Sequence, residues 1–496
     1  MRELTEQETI RREKAENIRE LGIDPFGQRF DRTHNSGDIK KEYEGKDNEE
    51  LESMNVAVKV AGRIMTKRGK GKAGFMHIQD RDGQIQIYIK MDNIGEDDYN
   101  NLFLKADLGD IVGITGTLFI THTGELSVRA TEYTHLVKAL RPLPEKFHGI
   151  TDSEMKLRKR YLDIIMNQEI KEIFFKKQQF WATVRNYLIE NGFLEVETPV
   201  LENSAGGAAA TPFETHHNAL DLDVFLRISM GELWQKKLLV AGYEKTFEIG
   251  RQFRNEGMSP EHLQDYTQME FYWAYADYKD GMDFVKEMYR RVTKNVLGTS
   301  KFTTKGYEID MDAEWSIYDF ETVVKEGTGI SIYEATKEEI IDYLKKSDIE
   351  FEPEAPYWRL VDILWKLVRK TLSGPGFLVG QPVQLNPLPK RLKDDDRKVA
   401  QFQVILAGSE MGNGYSELND PMDLEARFIE QREMAEAGDE EAHEHDVEFI
   451  EALEYGMPPA FGFGVSERLF STLLDRPIRE CVMFPLMKPI KNNEEE

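Results

Sequence analysis

Apolar and polar residues alternate with period two in three short stretches: Val56-Ala57-Val58-Lys59-Val60, Gln84-Ile85-Gln86-Ile87-Tyr88-Ile89 and Ile111-Val112-Gly113-Ile114. Such alternation turns one side of each stretch to a core, and glycine-bearing turns separate them, so a small all-β barrel is predicted over 51–140. Residues 1–50 form an N-terminal helical extension. In it Leu4, Ile10, Ile18 and Leu21 are spaced too loosely for a deep core face, which predicts a peripheral helix over 3–21. The run Arg141-Pro142-Leu143-Pro144-Glu145-Lys146 marks a linker, placed at 141–160.

The pattern changes in the remaining domain, 161–496. Phe174, Trp181, Val184 and Leu188 fall at helical spacing within a helix from Ile170 to Asn191, and Asn191-Gly192 supplies a left-handed stop. Phe193 to Thr198 reads as a strand closed by Pro199. Strands and helices then mix without regular βα alternation, so the fold class is α+β with an antiparallel sheet flanked by helices. Residues 334–372, acidic then aromatic, read as a helical insertion.

Charge alters this picture. Sixty-four basic residues face 90 acidic ones, a formal charge of −26, so any nucleic-acid contact has to come from local patches such as Lys67 to Lys72 or Lys156 to Arg160. No apolar run approaches the roughly 18 residues of a membrane span, and the single cysteine, Cys481, excludes an intrachain disulfide, which together predict a cytoplasmic protein with no membrane partner. Two motifs are set aside. Gly69-Lys70-Gly71-Lys72-Ala73-Gly74 fits a dinucleotide pattern, but the residues after it alternate like a strand. His443-Glu444-His445-Asp446 lacks the spacing of a zinc helix.

Three stretches carry candidate chemistry. In a strand from Thr246 to Glu256, Arg254 and Glu256 would share a face; in one from Tyr266 to Tyr275, Glu270 and Tyr272 would; in one from Gly412 to Leu418, Asn413, Tyr415 and Glu417 would. Each alone could be a wet sheet face, but three in one domain predict a polar cleft. A guanidinium suits phosphate oxygens and paired carboxylates suit a cation, so Arg254 is expected to grip phosphate and Glu270 with Glu417 an ammonium. Gly462-Phe463-Gly464 would let a ligand approach the backbone, and Arg468 opens a helix beyond it.

These residues resemble class II lysyl-tRNA synthetases of the bacterial type over nearly the whole chain. Phe193-Leu194-Glu195-Val196-Glu197-Thr198-Pro199 is similar to class motif 1, Phe247 to Gly257 to motif 2 and the segment ending Glu467-Arg468 to motif 3. The lysine branch is indicated by Leu140 to Pro144 with Lys146-Phe147-His148-Gly149, by His216-His217-Asn218-Ala219-Leu220-Asp221, and by Gly412 to Asn419. The resemblance implies ATP-dependent activation of L-lysine and its transfer to tRNA(Lys), with ATP, L-lysine and tRNA(Lys) as partners, in a homodimer built on motif 1. It implies an OB-fold barrel that reads the anticodon through Phe75, Arg63, Gln86 and Glu125. Arg254 and Arg468 would be catalytic, and both would bind ATP with Glu256, His262, Tyr266 and Glu410. Gly207, Glu232, Glu270, Tyr272, Asn413, Tyr415 and Glu417 would bind lysine. Mg²⁺ would be held by Glu410 and Glu417.

The sequence departs from that pattern around the nucleotide. Gln403 stands where a second metal-binding glutamate is usual, Glu261 replaces an arginine beside His262, Thr211 takes the place of a basic residue, and motif 3 is one residue short. Three rival readings follow: a lysyl transferase that modifies protein, a non-catalytic RNA-binding relative, and the same chemistry with aspartate or asparagine.

Overall fold

The alternating stretches become five strands: β1 (Ala57–Lys70), β2 (Ala73–Gln79), β3 (Gln84–Lys90), β4 (Ile111–Ile120) and β5 (Leu126–Val137). In the computed structural model they close into a barrel in the order β1-β2-β3-β5-β4. The structure describes residues 3–27, 29–144, 152–204, 206, 210–257, 259–352, 354–386, 388–436 and 446–490. By contacts the chain divides into two units, 1–168 and 169–496.

In the first unit, alternate residues such as Val58, Val60, Ile64, Met76, Ile78, Ile87 and Ile114 fill the barrel interior. Gly69 pairs with Gly74 across the β1–β2 hairpin, so that glycine run is a turn and opens no helix. The charged N-terminal segment is a helix, Glu6–Glu20, entered through a capping box between Thr5 and Glu8. Only Ile18 of its four wide-spaced apolar residues is buried, while Leu4, Ile10 and Leu21 face solvent. The basic stretch Lys156 to Arg160 lies in two short helices, Ser153–Arg158 and Arg160–Met166, and Arg160 is buried against Asp163 at 3.0 Å.

The second unit opens with the helix Gln168–Glu190. Its strands are β6 (Leu194–Glu195), β7 (Leu201–Glu202), β8 (Phe213–His217), β9 (Leu222–Leu226), β10 (Lys245–Phe253), β11 (Asp265–Ala274), β12 (Lys301–Thr304), β13 (Tyr307–Asp310), β14 (Ser316–Asp319), β15 (Gly376–Val379), β16 (Gln401–Leu406), β17 (Ser409–Ser416) and β18 (Ala460–Ser466). Eight form the main sheet, in the order β14-β15-β16-β17-β18-β11-β10-β6. The expected antiparallel sheet is therefore a mixed one. Its six central strands are antiparallel, and a parallel pair closes each edge, β14 with β15 and β6 with β10. The predicted Phe193–Thr198 strand shrinks to two residues because only Leu194 and Glu195 pair with β10.

One face of this sheet is aromatic: Phe402, Phe461 and Phe463 stack with centroids 5.7 and 5.9 Å apart, and Phe271 packs against both of the latter. The helix Tyr278–Leu297 covers that face through Phe284 and Tyr289. Asp277 caps its N-terminus and Gly298, at φ 75°, ends it. Period two then leaves the intervening polar residues on the opposite face, which is how an aromatic core positions a polar cleft. The insertion contains helices Lys337–Lys346 and Tyr357–Val368 with their own core of Ile340, Leu344, Leu360, Leu364 and Trp365.

Candidate active site

Strand register builds the cleft floor in two rows. Glu248, Glu270, Gly464 and Asn413 are successive partners across β10, β11, β18 and β17; Thr246, Tyr272, Gly462 and Tyr415 form the next row. The two glycines keep this floor open, Gly462 by the larger margin. A Cβ at Gly464 would lie 3.2 Å from Glu270 Cγ, and one at Gly462 would collide with the Glu417 carboxylate and the Tyr272 ring. Two expected strand ends are corrected. β10 stops at Phe253, because Asn255 N–H turns away to Thr211 O, so Arg254 and Glu256 do not share a strand face. β17 stops at Ser416, and Glu417 follows it in a lone bridge to Pro389.

Three buried carboxylates converge here. Glu232 opens the helix Glu232–Val240 and accepts from Tyr415 Oη at 2.7 Å and from Lys236 Nζ, one helical turn on, at 2.6 Å. Lys236 also lies 2.7 Å from Glu417 Oε2, an ion pair that is close in distance but off the angle of a hydrogen bond. Glu417 Oε1 is buried with no hydrogen-bond partner among the described residues. Glu270 accepts from Met230 N–H at 3.1 Å, Gln268 Nε2 at 2.6 Å and Tyr272 Oη at 3.0 Å. Among the described residues Lys236 pairs with two of the three carboxylates, Glu232 and Glu417, and a buried site with surplus negative charge favours a cationic ligand or a proton. Burial, followed by the charge of Glu232, pushes Glu270 up to about 7; burial pushes Glu417 up to about 8 against the pull of Lys236. Asn413 accepts from Gln401 Nε2 at 2.7 Å on the cleft face. Gly207 lies outside the described residues.

Arginines line the opposite end. Arg254 Nε donates to Ile228 O at 3.2 Å, the one hydrogen bond of that side chain among the described residues. Arg468 donates to Glu410 O at 2.7 Å. Tyr266 Oη accepts from Gln252, His262 Nδ1 is 2.7 Å from Ser259 Oγ, and Glu256 is exposed. Burial and then the nearby Arg468 hold His262 below the usual imidazole range. Glu410 receives Trp365 Nε1 at 2.8 Å, Arg369 at 2.7 Å and Gln403 Nε2 at 3.2 Å.

The barrel carries a separate surface. Met76 and Ile78 point inward, so Phe75 and His77 point out. Phe75 packs on Tyr88 at 5.0 Å, Tyr88 on Phe119 at 6.0 Å, and Arg68 and Arg129 lie over the outer rings at 5.4 and 4.7 Å. Exposed Glu125 bonds His77 at 2.9 Å. Arg63 donates to Gly109 O at 2.8 Å. Gln86 is the cross-strand partner of His77 and shares the outward face with Tyr88, but it is covered there, at 2% exposed. Lys67, in the basic run, instead points inward to the carbonyls of Phe103 and Leu104 at 2.9 Å, and burial lowers it to about 8.

Residues 152–488 match the tRNA synthetases class II (D, K and N), and residues 58–136 match the OB-fold nucleic acid binding domain. The chain belongs to the class II tRNA synthetases. It is 47% identical to a lysine–tRNA ligase of Enterococcus faecalis over 492 residues, covering 98% of both chains. It is 46% identical to one of Staphylococcus haemolyticus, covering 98% of this chain and 99% of that one, and 44% identical to one of Bacillus subtilis, covering 98% of each.

Within this class II synthetase Glu410 and Glu417, the two expected metal ligands, are each paired with a different cation of the protein. Glu410 lies in β17 and is paired with Arg369 at 2.7 Å, whereas Glu417 lies beyond the end of that strand and is paired with Lys236 at 2.7 Å. Gln403 donates to Glu410 where a carboxylate would need a cation between the two. Among the described residues no cluster of three metal-ligating side chains occurs. Glu410 alone fits one ion that takes its other ligands from phosphate and water. The sequence reading missed Lys236, although Glu232-x-x-x-Lys236 is an i,i+4 pair readable from spacing. It also missed Arg227, whose buried pair with Glu248 at 2.6 Å holds the edge of the cleft, and Tyr88 and Phe119 on the barrel.

The raised carboxyls yield a pH prediction. A carboxyl raised from 4.5 to about 7 contributes stability that is present below 4.5 and lost as pH rises through 7. A bound ammonium reverses that loss. The thermal shift produced by lysine is therefore expected to grow as pH rises from 6 to 8, with KM for lysine increasing about tenfold per unit below about 7. Glu270→Gln should make the profile shallower and leave the dependence that Glu417 contributes nearer 8; an unchanged profile in that variant would dissociate Glu270 from ligand binding.

Proposed function

We propose that this chain is a cytoplasmic lysine–tRNA ligase, which activates L-lysine with ATP to lysyl-adenylate and transfers the lysyl group to the 3′ end of tRNA(Lys). The observation that carries the lysine assignment is the buried Glu417 oxygen, without a hydrogen-bond partner among the described residues, in a cleft where Lys236 pairs with Glu232 and Glu417 and Glu270 adds a third carboxylate. An ε-ammonium completes that charge balance. The neutral or anionic side chains of asparagine or aspartate would leave buried carboxylates unpaired, at a cost of several kcal/mol.

A lysine carboxylate oxygen attacks the α-phosphorus, the bond to the bridging oxygen breaks, and pyrophosphate leaves. The 3′-terminal ribose hydroxyl then attacks the lysyl carbonyl and AMP departs. No protein nucleophile is needed. Arg254 stabilises the charge that builds on the α-phosphate, and Arg468 contacts the outer phosphates and faces the adenine with Tyr266. Glu256 reads the adenine amino group and His262 is a peripheral ATP contact. Glu232, through its second oxygen, takes the α-ammonium; Tyr272, Asn413 and Tyr415 fix the side chain beside Glu270 and Glu417, with Gly207 lining the pocket. Glu410 would hold a Mg²⁺ that arrives with ATP and offsets phosphate charge.

On the barrel, Phe75 with Tyr88 and Phe119 offers a stacking platform for splayed anticodon bases, flanked by Arg63, Arg68, Arg129 and Glu125. A homodimer would cover exposed Leu194, Val200 and Leu201 at and beyond the sheet edge formed by β6. ATP–pyrophosphate exchange with each common amino acid tests the reading. Exchange with lysine alone is expected; exchange with none, from folded protein supplied with Mg²⁺ and tRNA, would leave the RNA-binding alternative.

A further inference from the structure

The Glu261 carboxylate occupies an unusual place for a site that takes a polyanion. One of its oxygens is bonded to Lys305 Nζ and lies 3.3 Å from Ser409 Oγ, and the other lies 3.8 Å from an Arg468 nitrogen. Lys305 Nζ is itself 2.7 Å from Ser409 Oγ. Two cations and a hydroxyl from three separate elements therefore converge on one anionic group. Lys305 sits in the β12–β13 turn at φ 49°, and its N–H donates to Asp475 Oδ1 at 2.9 Å. Thr304 Oγ1 bonds Thr472 O at 2.7 Å, at the end of the helix Arg468–Leu473. The turn that carries Lys305 is thus tied to the helix that carries Arg468, whose own guanidinium is braced on Glu410 O. The cations are fixed. Glu261, in contrast, comes from the irregular loop between β10 and β11, and the three charged side chains are each about a quarter to a third exposed.

We propose that Lys305, Ser409 and Arg468 form a phosphate subsite which the protein's own Glu261 occupies until a polyphosphate displaces it. This deepens the ATP reading of the cleft and rests on it. A carboxylate and a phosphate share charge sign and acceptor oxygens, so a frame built around one accepts the other. Burial would raise the Glu261 carboxyl, but the Lys305 bond and charge, then Arg468, hold it below the usual range, so it is an anion at neutral pH. A partly exposed ion pair contributes little, whereas a terminal phosphate brings more charge and more acceptor oxygens to the same two cations. Lys305 is then a further ATP-binding residue, and Glu261 a built-in competitor that weakens binding of ATP and speeds release of pyrophosphate without touching the adenosine.

Opposite signs separate this from a purely structural ion pair. Binding of pyrophosphate, ATP and AMP to the full chain is measured by calorimetry for the parent, Glu261→Gln, Lys305→Gln and Lys305→Arg proteins, with thermal melts confirming folding. Glu261→Gln is expected to tighten pyrophosphate and ATP about tenfold, and Lys305→Gln to weaken both about tenfold. Lys305→Arg should keep parental affinity, and AMP should bind alike throughout. If both neutral variants weaken binding, or neither changes it, the subsite is overturned. Continued lysine exchange in that case would leave the ligase reading standing; the opposite signs without any exchange would uphold the subsite and remove the ligase reading.

Discussion

Glu417→Gln is expected to lower kcat/KM for lysine by about two to three orders of magnitude while leaving KM for ATP unchanged. The substitution keeps shape and removes a buried negative charge. Its Oε1 has no hydrogen-bond partner among the described residues, so the substrate ammonium is the group that loses most, and breaking a buried pair costs roughly 3–5 kcal/mol. Lys236 keeps Glu232 at 2.6 Å, which limits collateral damage to the fold. Steady-state exchange at varied lysine, with a melting curve for the variant, checks the result. An unchanged KM for lysine in a folded variant would move the ammonium elsewhere in the cleft.

Arg254→Ala is the second large effect: a loss of about 10²- to 10³-fold in the exchange rate, with lysine binding intact. Among the described residues Arg254 bonds the protein through Nε alone, at Ile228 O, which leaves both terminal nitrogens of its fork for phosphate. Because that charge matters most as negative charge accumulates at the α-phosphorus, the defect should appear in kcat more than in KM for ATP. Arg254→Lys should recover part of the rate, since it restores charge without the planar fork. Full activity in Arg254→Ala would remove the residue from the chemistry.

The barrel and the polar cleft were legible because period-two alternation is local information. Val58 and Val60 turn inward and Phe75 outward for the same reason that Glu270 and Tyr272 face away from Phe271. Alternation fails where a strand stops, and nothing near Arg254 says that Asn255 N–H will leave the ladder for Thr211 O, 44 positions earlier in the chain. Sheet direction at the edges was likewise invisible, since parallel pairing of β6 with β10 and of β14 with β15 depends on which distant segments meet.

By itself, then, the sequence determined the barrel, the mixed helix and strand character of the larger unit, and the carboxylate and arginine residue types that line its polar cleft. These follow from periodicity and side-chain chemistry. Tertiary structure alone decided the charge balance. Lys236 faces Glu417 across 181 positions, Glu261 reaches Lys305 across 44, and Glu410 is taken by Arg369 from the insertion. Whether a carboxylate is a free ligand or an occupied one depends on which cation the fold carries to it, and that pairing is set by packing of elements far apart in the chain.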